Sequence, residues 1–143
     1  MPNLHACAVS LRGRGVLIAG PSGSGKTRLA LKLAALRELD AQFVSDDQVL
    51  LEAAGGRLVA RAPHAIFGLV EVRGVGPVEI AAVFECAVGL FVQLVPAAES
   101  PRFCEEDERE TLEGIAIPRL RLPERDADGA VLAIRAFLFG ALF

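Results

Sequence analysis

The sequence predicts one α/β domain built on a central mixed sheet flanked by helices. Three observations carry that expectation. The chain has 143 residues, enough for one domain with a real core and too few for two ordinary ones. About half of it is apolar (52%), with Trp and Tyr absent, so Val, Leu, Ile and Ala must fill the core, the palette of a parallel or mixed sheet under helices. Finally, an apolar run, "GVLIAG", passes through a glycine-rich turn into an amphipathic stretch, the order of a strand, a loop and a helix.

His5 to Leu11 alternates loosely and ends in "RGRG"; with "VLIAG" it predicts a hairpin leading into a central strand. Thr27 to Leu39 predicts a helix, with Leu29, Leu33 and Leu36 on one stripe and Arg28 and Lys32 one turn apart on another. Gln42 to Ser45 is the next strand, and it stops at two adjacent acids, Asp46 and Asp47. "QVLLEAAGGRLVARAP" reads as two strands around Ala54-Gly55-Gly56. "GLVEVRGVGPVEI", with Gly68, Gly74 and Gly76, argues for a loop rather than a plain strand. "AVGLFVQLVP" predicts a buried strand. "EEDERETLEG" predicts a short helix stopped at Gly114, its acids favoured by the dipole at the N-terminus. "IAIPRLRLP" predicts an edge strand, since Pro118 cannot donate to a ladder. "GAVLAIRAFLFGALF" predicts a helix packed in the core or against another subunit; Arg135 interrupts it, and the piece before Gly140 is too short to span a bilayer. No repeat or linker divides residues 1–143, so they are expected to form a single domain.

The formal net charge is −3, with acids and bases well mixed, which speaks against a nucleic-acid binder. Cys7, Cys86 and Cys104 are widely spaced and odd in number, with no metal-ligand pattern, and predict free thiols acting as small apolar fillers in a reducing cytoplasm. The start "MPNLHACAVSL" lacks the basic and long apolar regions of a signal peptide. A cytoplasmic protein with no membrane association is expected.

Residues 20 to 27 read "GPSGSGKT" and satisfy G-x-x-x-x-G-K-[ST] in full. Gly20, Pro21, Ser22, Gly23, Ser24, Gly25, Lys26 and Thr27 are therefore the expected nucleotide-binding residues. The glycines let successive N–H groups face an anion at a helix N-terminus. Lys26 supplies charge for the β and γ phosphates, and the Thr27 hydroxyl can take one position on Mg²⁺. The expected ligands are ATP, or another nucleoside triphosphate, and Mg²⁺.

This motif alone does not choose among kinase, GTPase and ATPase. Asp46 and Asp47 end the next strand, which puts them beside the phosphates at the carboxyl edge of the sheet. One can support the metal while the other takes a proton from an attacking hydroxyl. Glu71 and Arg73, between Gly68 and Gly74, are expected near the ligand on a glycine-bounded segment, and His64 is expected to be a plain loop residue.

"HACAV", "GVLIAGPSGSGKT", "VSDDQV" and "APHAIFGLVEVRGVG" together resemble the catalytic domain of HPr kinase/phosphorylase, over roughly residues 5 to 122. The last stretch is similar to that family's Ile/Val-Glu-x-Arg-Gly-x-Gly loop, and the chain looks like a short form without the family's N-terminal domain. The resemblance implies an HPr kinase-like α/β fold, an ATP- and Mg²⁺-dependent serine kinase, a phosphocarrier of the HPr type as protein partner, and a homo-oligomer, the hexamer. It implies Asp47 as the base, Lys26 as the phosphate lysine, Thr27 and Glu71 on the metal with Asp46 beside them, and His5 in the catalytic site. Arg102 in "SPRF" matches a catalytic arginine.

At the C-terminal end the family has a Pro-Val-Arg-Pro-Gly-Arg-Asn segment associated with dephosphorylation, where this chain has "LPERDADGAVLAIRAF". That departure argues against the reverse reaction. Two other functions fit the motif: a small-molecule kinase, and a regulatory module that senses ATP without transferring phosphate.

Overall fold

The computed structural model describes residues 2–143. Its elements in chain order are β1 (Asn3–Leu4), β2 (Ala6–Leu11), β3 (Arg14–Ala19), α1 (Lys26–Ala34), β4 (Gln42–Ser45), β5 (Val49–Ala54) and β6 (Arg57–Arg61). After them come β7 (Leu69–Val72), β8 (Gly76–Glu79), β9 (Glu85–Val95), β10 (Arg109–Leu112), β11 (Ile115–Pro123) and α2 (Ala127–Phe139). Among the described residues, nine strands form one mixed sheet in the order β1-β5-β6-β9-β3-β2-β4, with β11 also paired to β9 and β10 beyond it. β7 and β8 form a separate two-stranded sheet.

Three two-residue turns close hairpins as the glycine pattern requires. Arg12-Gly13, Gly55-Gly56 and Glu113-Gly114 all have positive φ at both central positions, the geometry whose twist matches the flanking strands. β2 pairs antiparallel with both β3 and β4, so β3 and β4 point the same way and end on one edge of the sheet. Strand alternation divides the core. Val16 and Ile18 face one side with Leu29 and Leu33 of α1 and Ile134 and Leu138 of α2. Leu17 faces the other side with Val44, Leu51, Leu58 and Phe91. Both helices thus cover one face, and the curled β5–β6 part of the sheet closes the other.

α2 occupies the apolar C-terminal stretch, as its composition predicts. The Asp126 side chain caps it by accepting from Gly129 N at 3.1 Å, and Gly140 ends it in the left-handed region at φ 66°. Lys32 Nζ lies 2.9 Å from Asp128 Oδ1 and ties α1 to its start.

Several local expectations are corrected. α1 ends at Ala34, and Arg37–Leu39 forms a 3-10 turn, because Arg12 N donates to Leu39 O and Arg135 pairs with Glu38, contacts that a continued α-helix would not offer. The glycine-rich segment is the β7–β8 hairpin; Gly74, φ 93°, supplies the positive φ of its turn, and Gly76, φ 110°, opens β8. The acidic stretch forms β10 instead of a helix. Glu108 takes Arg119 at 2.7 Å and Arg121 at 2.9 Å, and Glu110 takes Arg119 at 3.0 Å, so cross-strand charge pairing decides its conformation. Nor is β11 an edge: it lies between β9 and β10. Arg119 N donates toward β10, so the nitrogen of Pro118 faces the side on which pairing with β9 begins only at Arg119. The three cysteines are free, but Cys104 is exposed and fills no core.

Candidate active site

β3 delivers the chain to the phosphate loop. A side chain at Gly20 would put its Cβ 2.7 Å from Ser24 Oγ and 3.0 Å from Leu94 Cβ, so the loop can fold this tightly only around glycine. Gly23 and Gly25 take φ 82° and 96°, and α1 begins at Lys26 with no acidic side chain in its first turn. The unpaired N–H groups of that turn therefore face the concave side of the loop without a competing carboxylate. Lys26 is buried and its Nζ donates to Gly20 O at 2.9 Å and Pro21 O at 3.2 Å, which holds the cation against the loop. Ser24 Oγ is buried without a hydrogen-bond partner, a polar atom suited to a ligand oxygen.

The adjacent acids sit at the end of β4, on the same edge as the loop. Asp47 has φ 66°, so the backbone leaves the strand there and the two carboxylates separate. Asp46 turns toward α1: its Oδ1 accepts from Thr27 Oγ1 at 2.8 Å, and its Oδ2 accepts from Glu71 N at 3.1 Å. Asp47 turns outward, with Oδ1 2.5 Å from His5 Nε2, both side chains about half exposed (56% each). One acid is thus joined to the phosphate-loop threonine, and the other stands in the open beside an imidazole. The Gln48 N–H to Asp46 O bond, 2.8 Å, and the Ser45 Oγ–H to Gln48 O bond, 2.5 Å, fix the turn.

Cys7, expected to be an apolar filler, lies inside this cluster. Its Sγ accepts from Asp47 N at 3.4 Å and donates to Asp46 Oδ1 at 3.4 Å. Burial pushes the thiol up to about 12, with the Asp46 charge adding to the effect, so it stays neutral and able to donate.

The remaining sequence candidates divide. Glu71 is on β7, bonded through its backbone to Asp46, which brings the hairpin to the site. Arg102 lies on the α2 side of β11 with its guanidinium over the Phe103 ring, 5.8 Å from the centroid, and among the described residues no hydrogen bond or ion pair joins it to this cluster. His64 packs against Phe84, with ring centroids 5.0 Å apart and the planes tilted by 42°. Another guanidinium is on the loop: Arg125 N donates to Ser24 O at 2.9 Å and its Nη1 to Gly23 O at 3.2 Å, with φ 57°. Sequence reasoning missed Arg125 and the role of Cys7. The faint signals were an Arg between the end of a strand and a helix cap, and a Cys two residues after the candidate His.

Thr27 and Asp46 offer two hard oxygen donors side by side, and Glu71 a third carboxylate on the adjoining hairpin. Such a set suits Mg²⁺, which takes few protein ligands and completes its shell with phosphate oxygens and water. Among the described residues there is no ready-made group of three or more His, Cys, Asp and Glu side chains about a metal position.

Comparison with known proteins decides the family. The family model described as HPr Serine kinase C-terminal domain matches residues 1–136. The chain belongs to this family. HPr kinase/phosphorylase of Clostridium perfringens is 30% identical over 93% of this chain and 46% of its own length. That of Limosilactobacillus reuteri is 27% identical over 94% and 44%. The chain therefore spans about half the length of the curated HPr kinase/phosphorylases it matches. The solved structure of the Hpr(Ser) kinase/phosphatase from Coxiella burnetii has the same fold, with a TM-score of 0.82 at 24% identity, over 98% of this chain and 90% of that one. The α/β architecture and the HPr kinase resemblance expected from the sequence are both borne out.

Proposed function

We propose that the chain transfers the γ-phosphoryl group of ATP, with Mg²⁺, to a serine hydroxyl of an HPr-like phosphocarrier protein. The observation that carries this reading is the division of the acid pair, Asp46 on the Thr27 hydroxyl and Asp47 free to meet an incoming hydroxyl beside His5. A nucleotide-sensing module has no need for a carboxylate in the second position.

The residues then take distinct parts. The loop N–H groups and Lys26 bind and orient the triphosphate. Thr27, Asp46 and Glu71 would hold Mg²⁺, which when bound neutralises phosphate charge. Asp47 accepts the serine proton as the oxygen attacks in line, and His5 orients the Asp47 carboxylate. Arg125 stands where negative charge gathers on the loop; Arg102, in the connection between β9 and β10, is left as a candidate from the family resemblance alone. Because the Pro123–Asp128 segment departs from the family's pattern, the reverse reaction is expected to be weak. The same reading puts the protein in the cytoplasm as a homo-oligomer, the hexamer that the resemblance implies. No helix among the described residues is long and apolar enough to cross a membrane.

The test is incubation with γ-labelled ATP, Mg²⁺ and the HPr-like carriers of the same organism, followed by mass-spectrometric mapping. Phosphoserine on a carrier supports the reading. Phosphate on a histidine, on a small hydroxyl compound, or on nothing overturns it.

A further inference from the structure

A β-bulge decides which way the acid pair faces. β4 pairs with β2 as Phe43 opposite Val9 and Ser45 opposite Ala8, which leaves Val44 as an extra residue between the two pairs. Phe43 and Val9 share the core under the helices, whereas Val44 and Ala8 belong to the core on the other face. Extending the pairing beyond the bulge sets Asp46 opposite Cys7, on the face covered by α1. A strand without the extra residue would send Asp46 to the opposite face, away from Thr27. The bulge therefore brings one thiol and one carboxylate together beside the start of α1.

Cys7 is the side chain that reaches both acids. Thr27 Oγ1 and Glu71 N meet Asp46, and His5 Nε2 meets Asp47. The Cys7 Sγ donates to Asp46 Oδ1 and accepts from Asp47 N, each at 3.4 Å, and it lies 3.9 Å from Thr27 Oγ1. Those two bonds use both capacities of a thiol, one as donor and one as acceptor. Holding the Asp47 N–H fixes the peptide plane from which this residue departs at φ 66°, and so fixes where its carboxylate projects. Cys7 is fully buried, so an apolar side chain of the same size would fill the space and leave both groups without this partner.

Building on the serine-kinase reading, we infer that Cys7 is a positioning residue for phosphotransfer. Through one sulfur it ties the amide of Asp47 to the carboxylate of Asp46, and so keeps the proton-accepting carboxylate in register with the phosphate-loop threonine. Being buried, the thiol acts only through the two acids.

Two substitutions separate this role from simple packing. Cys7→Ser keeps a donor and an acceptor, whereas Cys7→Val keeps the approximate volume and loses both. For a filler, Val would serve at least as well as Cys, and Ser, a polar group in the core, would be the poorer replacement. For a positioning residue that order reverses. Cys7→Val should lower kcat for transfer to the serine carrier about tenfold, with the KM for ATP within about twofold and no loss of stability in urea. Cys7→Ser should keep kcat to within about threefold of wild type. Hydrogen exchange at the Asp47 amide, read by NMR on the same proteins, should quicken about tenfold in Cys7→Val and stay near wild type in Cys7→Ser. A kcat in Cys7→Val equal to or above that of Cys7→Ser would overturn the positioning role, and so would an unchanged Asp47 exchange rate. Wild-type protein that phosphorylates no carrier would sink the serine-kinase reading instead; the exchange rates would still decide whether the thiol holds the acid pair.

Discussion

Left-handed backbone occurs at the phosphate edge and at the three hairpin turns, and the two settings use it differently. At the turns, Arg12, Glu113 and their glycine partners take positive φ to reverse a strand in two residues. At the phosphate edge, Asp47 and Arg125 take positive φ and aim side chains at the site. A non-glycine residue in that region costs on the order of 1 kcal/mol. At a turn the cost secures a ladder that glycine would close as well. At the phosphate edge it secures the direction of a carboxylate and a guanidinium, which glycine cannot replace.

The largest effect is expected at Asp47. Asp47→Asn keeps the shape of the turn and removes the proposed proton acceptor; phosphotransfer is expected to fall by about 10²- to 10⁴-fold with ATP affinity nearly unchanged, measured by single-turnover transfer and nucleotide titration. Arg125→Ala comes next. It should lower kcat about 10- to 100-fold while the KM for ATP moves little, because charge on the loop is stabilised most in the transition state.

Away from both settings, Glu108 tests charge pairing that serves stability alone. Its burial raises the carboxyl, but hydrogen bonds from Arg121 and Arg119 outweigh that and hold it below the usual carboxylate range. A depressed folded value stabilises the fold above the unfolded value of about 4.3 and loses that stabilisation as pH falls through the folded value. Glu108→Gln should therefore cost about 1 to 3 kcal/mol in urea unfolding at neutral pH, with the gap to wild type narrowing below about pH 4. Transfer activity should be preserved.

The smallest effect concerns the thiols. Burial pushes Cys7 and Cys86 up to about 12, whereas Cys104 is exposed. Iodoacetamide on the native protein at pH 7.5 should add a single adduct, at Cys104, by peptide mapping. A second adduct at Cys7 would show that the cluster behind the acid pair opens readily.

Much of this was legible in the residues because the relevant physics is local. The phosphate loop declares itself in "GPSGSGKT", where loop geometry and charge lie within eight positions. The Gly55-Gly56 hairpin and the buried β9 run were equally plain. What escaped depended on partners distant in sequence. β10 reads as a helix until Arg119 and Arg121 are known to lie across from Glu108. Arg125 reaches Gly23 across 102 positions, and no local pattern distinguishes it from Arg102. The position of Cys7 between the two acids follows from the pairing of β2 with β4, which alternation alone does not disclose.

If strain at the phosphate edge is held for chemistry, a matched pair of variants will separate it from strain at a turn. Asp47→Gly and Glu113→Gly both relieve a left-handed residue, and each should leave the unfolding free energy equal to or slightly above wild type. Measured on the same preparations, phosphotransfer to the serine carrier should be lost in Asp47→Gly and retained in Glu113→Gly. Near-normal transfer by Asp47→Gly would show that the left-handed carboxylate serves no step of the transfer.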